Sequence, residues 1–346
     1  MYNEYSIGPL TGQLKPKYKV IQMALGLNFS PSTYGVDVYI DLNSLLSTMA
    51  SSRKFMNSLP FSTNTQSDIV YCLLQTFVHW KNFTRRWNSV RIFMMVNDFN
   101  FESLCEQSVL RSYMSPFKHK FSNDNMQQLT YYWNESIKLT QTVLQYIPRG
   151  YLIKCDQFDS FVLPQILSDH KHDKIIMTAD PFMTSHFYMP NTKVIYSRFV
   201  SGGMSQISDP QMLVHAVSKI DDELVTTFID NKVFYNTLQL MIGSKDRAIQ
   251  GIQPLGLTAF ASDLIRAVEQ RKIPSNPKAI DSVLSIINPS YHDYIKKNYP
   301  LVDVESHTKL ITPSAIESIK SQVIDKLDID GLSKLSIEGM NLMELM

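Results

Sequence analysis

The chain has 346 residues, 44% of them hydrophobic and 19% charged, which is the composition of an ordinary globular protein and excludes an intrinsically disordered one. Its length allows one large α/β domain with an appended helical region, or two domains. With 33 Lys and Arg against 32 Asp and Glu, the formal net charge is +1; this excludes a global pull toward nucleic acid, so any such binding must rest on local basic patches.

The three cysteines, Cys72, Cys105 and Cys155, are far apart and form no CxxC pair, so reduced core thiols are expected rather than a disulfide or a zinc site. The start of the chain lacks a basic stretch followed by an apolar run, and no apolar stretch is long enough to span a bilayer. A cytoplasmic protein without membrane contact is the expectation.

Residues 1–34 read as an irregular arm punctuated by Gly and Pro. The run from Gly35 to Asp41 is a β-branched segment ending in a carboxylate and predicts a core strand. Apolar residues Ile69, Leu73, Phe77 and Trp80 recur at helical spacing, and Val90 to Val96 predicts a second buried strand, followed by Asn97 and Asp98. Residues 99–125 are mixed, aromatic and basic. A long amphipathic helix is expected from Met126 to Tyr146, ended by Pro148-Arg149-Gly150. Strands follow at Tyr151–Lys154, Lys174–Met177 and Lys193–Tyr196, with a helix over Phe158–Leu167 that contains Pro164. From about Pro210 the pattern is helical, with helices expected at Val233–Ile242, Leu257–Gln270, Ile280–Ile287 and Ser314–Leu327.

Alternating strands and helices predict a mostly parallel sheet covered by helices. Asp41, Asp98, Asp159 and Asp180 all stand at or just beyond predicted strand ends. The carboxyl ends of the strands form the functional edge of such a sheet, so four acids gathered there point to a site; Asp is also common in turns and caps for purely structural reasons. His170-Lys171-His172 has two potential metal ligands but no third, and is read as solvated.

The segment from Tyr235 to Arg247, containing Gly243-Ser244-Lys245-Asp246-Arg247, resembles the "DYLALMGDSSDN" text of the virus-type 5′-nuclease family of flap endonucleases and phage ribonuclease H. Gly251-Ile252-Gln253-Pro254-Leu255-Gly256-Leu257-Thr258-Ala259 is similar to the "GVPGIGPKTA" that follows it there. Together these imply a helix–three-turn–helix, in which glycines let the backbone approach phosphates and a helix start offers free amides. Further matches run in order through the earlier chain. Asp41-Leu42-Asn43-Ser44-Leu45-Leu46 resembles "DGNSLL", and Val96-Asn97-Asp98 resembles "VFD". Ser115 to Lys120 falls at the basic element of the helical arch, Asp156-Gln157-Phe158-Asp159-Ser160 at "EADD", and Thr178-Ala179-Asp180-Pro181-Phe182 at "TGDKD".

The resemblance implies a magnesium-dependent cluster of acids, because magnesium takes hard oxygen ligands and paired ions orient a water for phosphodiester cleavage. Asp41, Asp98, Asp159, Asp180 and Asp246 stand at family acid positions, with Asp41, Asp98 and Asp180 as the ligands of one weakened metal. Gln157, Ser160 and Phe182 stand where the family has carboxylates, and Asp156 and Asp159 both offer an acid near the "EADD" place. The implied DNA-binding residues are Lys118 and Lys120 on the arch and Lys245, Arg247, Gly251 and Gly256 at the hairpin.

The expected architecture is therefore an N-terminal arm (1–34), a nuclease-like α/β domain (35–209) with an arch near 99–125, and a helical C-terminal region (210–346) with the helix–three-turn–helix at about 233–270. The expected function is DNA binding in replication or processing, by a protein of viral origin with impaired cleavage, for which a replication or virion partner is a second expectation. An active magnesium-dependent 5′-exonuclease or flap endonuclease, and a non-enzymatic viral structural or interaction subunit, are the alternatives.

Overall fold

The computed structural model describes residues 34–42, 44, 87–97, 134–142, 144, 149–178, 180–198, 203–207, 231–243, 263, 266–272, 274, 276–323, 336–337 and 340–341. Their centre is a six-stranded sheet built from β1 (Val36–Asp41), β2 (Val90–Asn97), β3 (Gly150–Cys155), β4 (Asp173–Thr178), β5 (Thr192–Arg198) and β6 (Gly203–Ile207). The spatial order is β3-β2-β1-β4-β5-β6. The pairs from β3 through to β5 are parallel, and β6 adds an antiparallel edge.

All five parallel strands lie where the sequence predicts them, because each is a short apolar run of the kind that a sheet covered on both faces requires. β6, whose Gly-Met-Ser-Gln-Ile text has neither alternation nor a β-branched run, was not among the predicted strands; nor was the short hairpin of β7 (Ser336–Ile337) and β8 (Met340–Asn341). The helix expected over Phe158–Leu167 is two pieces, a 3-10 turn at Ser160–Val162 and α1 (Leu163–Leu167). Pro164 explains the break: it lacks an amide hydrogen and belongs in the first turn of a new helix, where it stands.

The strand periodicity puts Tyr39 in register with Phe93 and Ile176, Phe93 with Tyr151, and Ile176 with Val194. These residues form one buried row across five strands, and all belong to a single apolar cluster. Tyr39 stacks on Phe93 with ring centroids 4.9 Å apart, and Phe93 on Tyr151 at 5.1 Å; such pairs add roughly 0.5–1.5 kcal/mol each beyond simple burial. The same cluster continues into α2 (Lys232–Ile242), α4 (His292–Asn298), α5 (Val304–Thr308) and α6 (Pro313–Lys320) through Tyr235, Leu238, Ile295, Val304 and Ile319. α3 (Asp281–Leu284) contributes Val283 and Leu284.

α2 is capped by Asn231, whose side chain accepts from the Val233 and Phe234 amides, and its residues from Val233 to Met241 are all buried. A helix apolar or satisfied all round belongs in a core. Among its polar members, Gln239 Nε2 donates to the Tyr235 hydroxyl at 3.0 Å and to Thr184 Oγ1 at 3.2 Å, and Asn236 Nδ2 donates to Asp303 Oδ1 at 3.1 Å. Gly243 ends the helix at φ 73° with extended ψ, a conformation close to glycine-only. Within the span of the helix expected at Leu257–Gln270, residues 263 and 266–269 are helical; the rest of the expected helix–three-turn–helix after Gly243 lies outside the described residues. Among the described residues no helix is long and apolar enough to cross a membrane.

Candidate functional site

The order β3-β2-β1-β4 reverses direction at β1: the chain moves outward from β1 through β2 to β3, then returns to place β4 on the other side. At such a switch point the connections diverge and leave a crevice outside the carboxyl ends of the two central strands. β1 ends there in Asp41, and β4 ends in Thr178, two residues before Asp180.

Asp41 is 4% exposed. Its Oδ1 accepts from the Ser44 amide at 3.1 Å, and its Oδ2 accepts from the Ser44 hydroxyl and from Thr178 Oγ1 at 2.8 Å. Burial pushes its pKa up to about 6, and the nearby charge of Asp180 adds to the rise, against the hydrogen bonds from Ser44 and Thr178 that favour the charged form. Asp41 and Asp180 thus lie close enough to interact electrostatically.

Asp180 caps the 3-10 helix Pro181–Tyr188, accepting from the Phe182 amide at 2.9 Å on Oδ1. Pro181 follows at the first helical position, where its fixed φ suits the turn. This turn carries the Phe182 side chain into the main apolar cluster, 2% exposed. The position at which the resemblance implies a second carboxylate is a core position in this fold.

Asp159 repeats the arrangement beyond β3. It caps the 3-10 turn Ser160–Val162, accepting from the Phe161 amide at 2.9 Å. It follows β3, the second strand out from β1 in the sheet order, four residues past the strand end at Cys155. Of the two acids offered near "EADD", Asp156 is exposed and Asp159 is buried. Gln157 is exposed, and Ser160 is buried with its amide donating to Asn97 Oδ1 at 2.7 Å. Asn97, at the end of β2, therefore ties the β3 loop to the central edge; the sequence reading passed over it as a neighbour of Asp98.

Asp98, Asp246, Lys118, Lys120, Lys245, Arg247, Gly251 and Gly256 lie outside the described residues. Among the described residues no three His, Cys, Asp or Glu side chains converge on a point where a metal would sit. Beside the carboxyl edge, Val96 near the end of β2, Lys154 on β3, and Asn134, Ile137 and Lys138 of the helical segment 134–142 line an open hollow of about 220 Å³. Its cations are held by neutral or singly charged neighbours: Lys154 Nζ donates to Gln141 Oε1 at 3.2 Å, and Lys138 pairs with Glu135 at 2.6 Å.

A second charged cluster, not foreseen from the sequence, sits toward the opposite end of β1. Asp37 is fully buried and receives Arg91 Nε at 2.7 Å and Nη2 at 2.6 Å, the Asp169 amide at 3.2 Å, and His172 Nδ1 at 2.8 Å. His172 is therefore bonded to a core carboxylate, in contrast to the solvated reading of the His170–His172 stretch. The hint available was the i, i+2, i+4 spacing of Asp37, Tyr39 and Asp41, which a strand sends to one face. Gly35 completes this end: a Cβ there would lie 2.7 Å from the His172 ring and 2.9 Å from the Ser89 carbonyl.

Neither a protein-family model nor a curated protein sequence matches the chain. Solved structures do. A bacteriophage T5 5′-exonuclease with bound divalent metal ions (zinc) superposes with a TM-score of 0.51 at 10% identity, over 83% of this chain and 98% of that one. A bacteriophage T5 flap endonuclease variant in a pseudo-enzyme–product complex with DNA and metal ions (TM-score 0.47, 11% identity, 83% of this chain and 99% of that one) is also similar. So is the T5 protein co-crystallised with metal ions (TM-score 0.46, 12% identity, 84% and 100%). The likeness to the exonuclease, spanning nearly its whole length, establishes that this chain has the 5′-nuclease fold.

Proposed function

We propose that this 5′-nuclease-fold chain is a DNA-binding protein of viral replication or DNA processing that holds a single divalent ion at the β1–β4 crevice and is impaired in cutting. The observation that carries the reading is the split fate of the acid positions. Asp41 and Asp180 are electrostatically coupled at the switch point, while Phe182 is part of the apolar core, Gln157 faces solvent and Ser160 is buried against Asn97.

The donor set fits one hard cation. Asp41 is a buried carboxylate whose charge is disfavoured by burial and by Asp180, the condition that a bound cation relieves. Asp98, which follows Asn97 directly in sequence, supplies the next oxygen ligand in this proposal. A magnesium ion there would polarise a phosphate oxygen and lower the pKa of a bound water. A second ion lacks ligands, because the core ring of Phe182 and the uncharged Gln157 and Ser160 supply no carboxylate. Asp159 and Asp246 complete the proposed acidic edge.

DNA contact on this reading comes from Lys118, Lys120, Lys245, Arg247 and the glycines Gly251 and Gly256, with Lys138 and Lys154 at the hollow adding phosphate contacts next to the edge. The active-nuclease alternative draws on one specific feature, the raised pKa of Asp41, since perturbed carboxylates gather at functional sites.

Counting bound Mn²⁺ by equilibrium dialysis with metal analysis separates the two. One ion per chain is expected, lost in Asp41→Ala and in Asp180→Ala. Two ions per chain would overturn the single-metal reading in favour of a complete nuclease centre.

A further inference from the structure

We infer that Thr178 is a positioning residue: its hydroxyl locks Asp41 and Asp180 into one fixed arrangement, in which Asp41 presents a single oxygen, Oδ1, to a cation. The inference rests on the single-metal reading above. Thr178 is 1% exposed at the last position of β4. Its Oγ1 donates to Asp41 Oδ2 at 2.8 Å and accepts from the Asp180 amide at 2.9 Å. One hydroxyl therefore spans both sides of the switch point, with its proton directed to β1 and its lone pair directed to the backbone of the β4 exit loop.

The consequence for Asp41 follows from its acceptor capacity. Each carboxylate oxygen has two lone pairs. Oδ2 is filled by the hydroxyls of Thr178 and Ser44, while Oδ1 takes the Ser44 amide alone. One acceptor site remains, on Oδ1. Bidentate coordination by Asp41 is closed, and a one-oxygen contact suits the tight geometry of magnesium or manganese. Groups that orient a ligand from behind typically change metal affinity by roughly 10–100-fold when removed.

Only a β-hydroxyl performs both tasks. Valine has the shape of threonine without the hydroxyl, so Thr178→Val removes the joint and with it the bond that Thr178 accepts from the Asp180 amide. Serine keeps the hydroxyl and loses a methyl.

The experiment measures Mn²⁺ affinity of the full-length protein from the EPR signal of free Mn²⁺. In parallel, exchange of the Asp180 amide is followed by NMR without metal, for wild type, Thr178→Val and Thr178→Ser. Expected are a Mn²⁺ affinity at least roughly 10-fold weaker in Thr178→Val, faster Asp180 amide exchange in that protein, and both properties restored in Thr178→Ser. If Thr178→Val does not fold, Ser44→Ala serves in its place: it opens the second lone pair on Oδ2 while leaving the Thr178 bridge intact, so a retained slow exchange at Asp180 with altered Mn²⁺ affinity is the expected pattern. Wild-type affinity and exchange in a folded Thr178→Val or, failing that, unaltered affinity in Ser44→Ala overturn the inference alone. Failure of the wild-type protein to bind Mn²⁺ overturns the single-metal reading, and this inference with it.

Discussion

Asp41 ends a central strand with little access to solvent, and burial, reinforced by Asp180, raises its pKa from the ordinary carboxylate value of 3.8 to about 6. The folded protein therefore binds this proton more tightly than the unfolded chain does. The associated stability is fully present below about pH 4 and is lost as pH rises through 6, a change of about 3 kcal/mol from a shift of roughly two pKa units. Asp41→Asn removes the titration while its amide oxygen still accepts from the Ser44 amide and the two hydroxyls turn to accept from its NH₂. Urea denaturation between pH 4 and 7.5 is expected to show stability of the wild type falling relative to Asp41→Asn as pH rises; parallel curves would contradict the assignment.

Phe182 makes the opposite point. An acid introduced by Phe182→Asp is expected to yield no gain in Mn²⁺ affinity, because the side chain enters the apolar cluster. Phe182→Ala is expected to cost about 3–5 kcal/mol, and the aspartate at least as much through an unpaired buried charge. Thermal melts and Mn²⁺ titration of the two variants check this.

Among the elements, β1 is held at both ends by polar side chains on one face. Asp37 and Asp41 are four residues apart, about 13 Å along the strand, with the Tyr39 row between them. The Asp37 cluster joins β1 to β2 through Arg91 and to the β3–β4 connection through Asp169 and His172. Removing one partner of such a buried pair leaves an uncompensated charge, so Arg91→Ala is expected to destabilise by about 3–5 kcal/mol in urea denaturation.

The other notable device is at the sheet edge. Lys154 of β3 donates its amide to Gln322 Oε1 at 2.9 Å and accepts from Gln322 Nε2 at 3.1 Å, so a residue just beyond α6 covers an edge position that would otherwise seek a strand. Gln322→Ala is expected to speed exchange of the Lys154 amide and to cost about 1–2 kcal/mol.

The elements that sequence reasoning reached and those it missed divide on physical grounds. Strands buried on both faces advertise themselves as apolar runs, and β1 to β5 do so. β6 has a mixed pattern, and what places it in the sheet is its antiparallel backbone pairing with β5. Asp41 and Asp180 were legible as strand-end acids. Asn97, Thr178, Asp37 and His172 were not, since each acts through a partner 63 to 137 residues away, and a single sequence carries no sign of such pairs.

At the scale of the whole molecule, one apolar cluster runs from the sheet face through the 3-10 helix after Asp180 into the C-terminal helices. The capping turns at Asp159 and Asp180 anchor on that cluster through Phe161 and Phe182, so the acidic edge is held rigidly by the core behind it. Nuclease architecture survives here with 10% identity to the T5 exonuclease, because burial pattern and strand order are satisfied by many sequences, whereas a paired-metal centre needs particular carboxylates. On the proposed reading, Gln157, Ser160 and Phe182 stand at such positions in this chain.

On the proposed function this nuclease fold grips DNA without cutting it efficiently. The most direct test is an end-labelled 5′-flap duplex incubated with the purified protein, with Mg²⁺ or Mn²⁺, at two salt concentrations, read in the same tubes for mobility shift and for strand cleavage beside Asp41→Ala. A shift that weakens with salt and an intact strand are expected; cleavage that disappears in Asp41→Ala would overturn the proposed function.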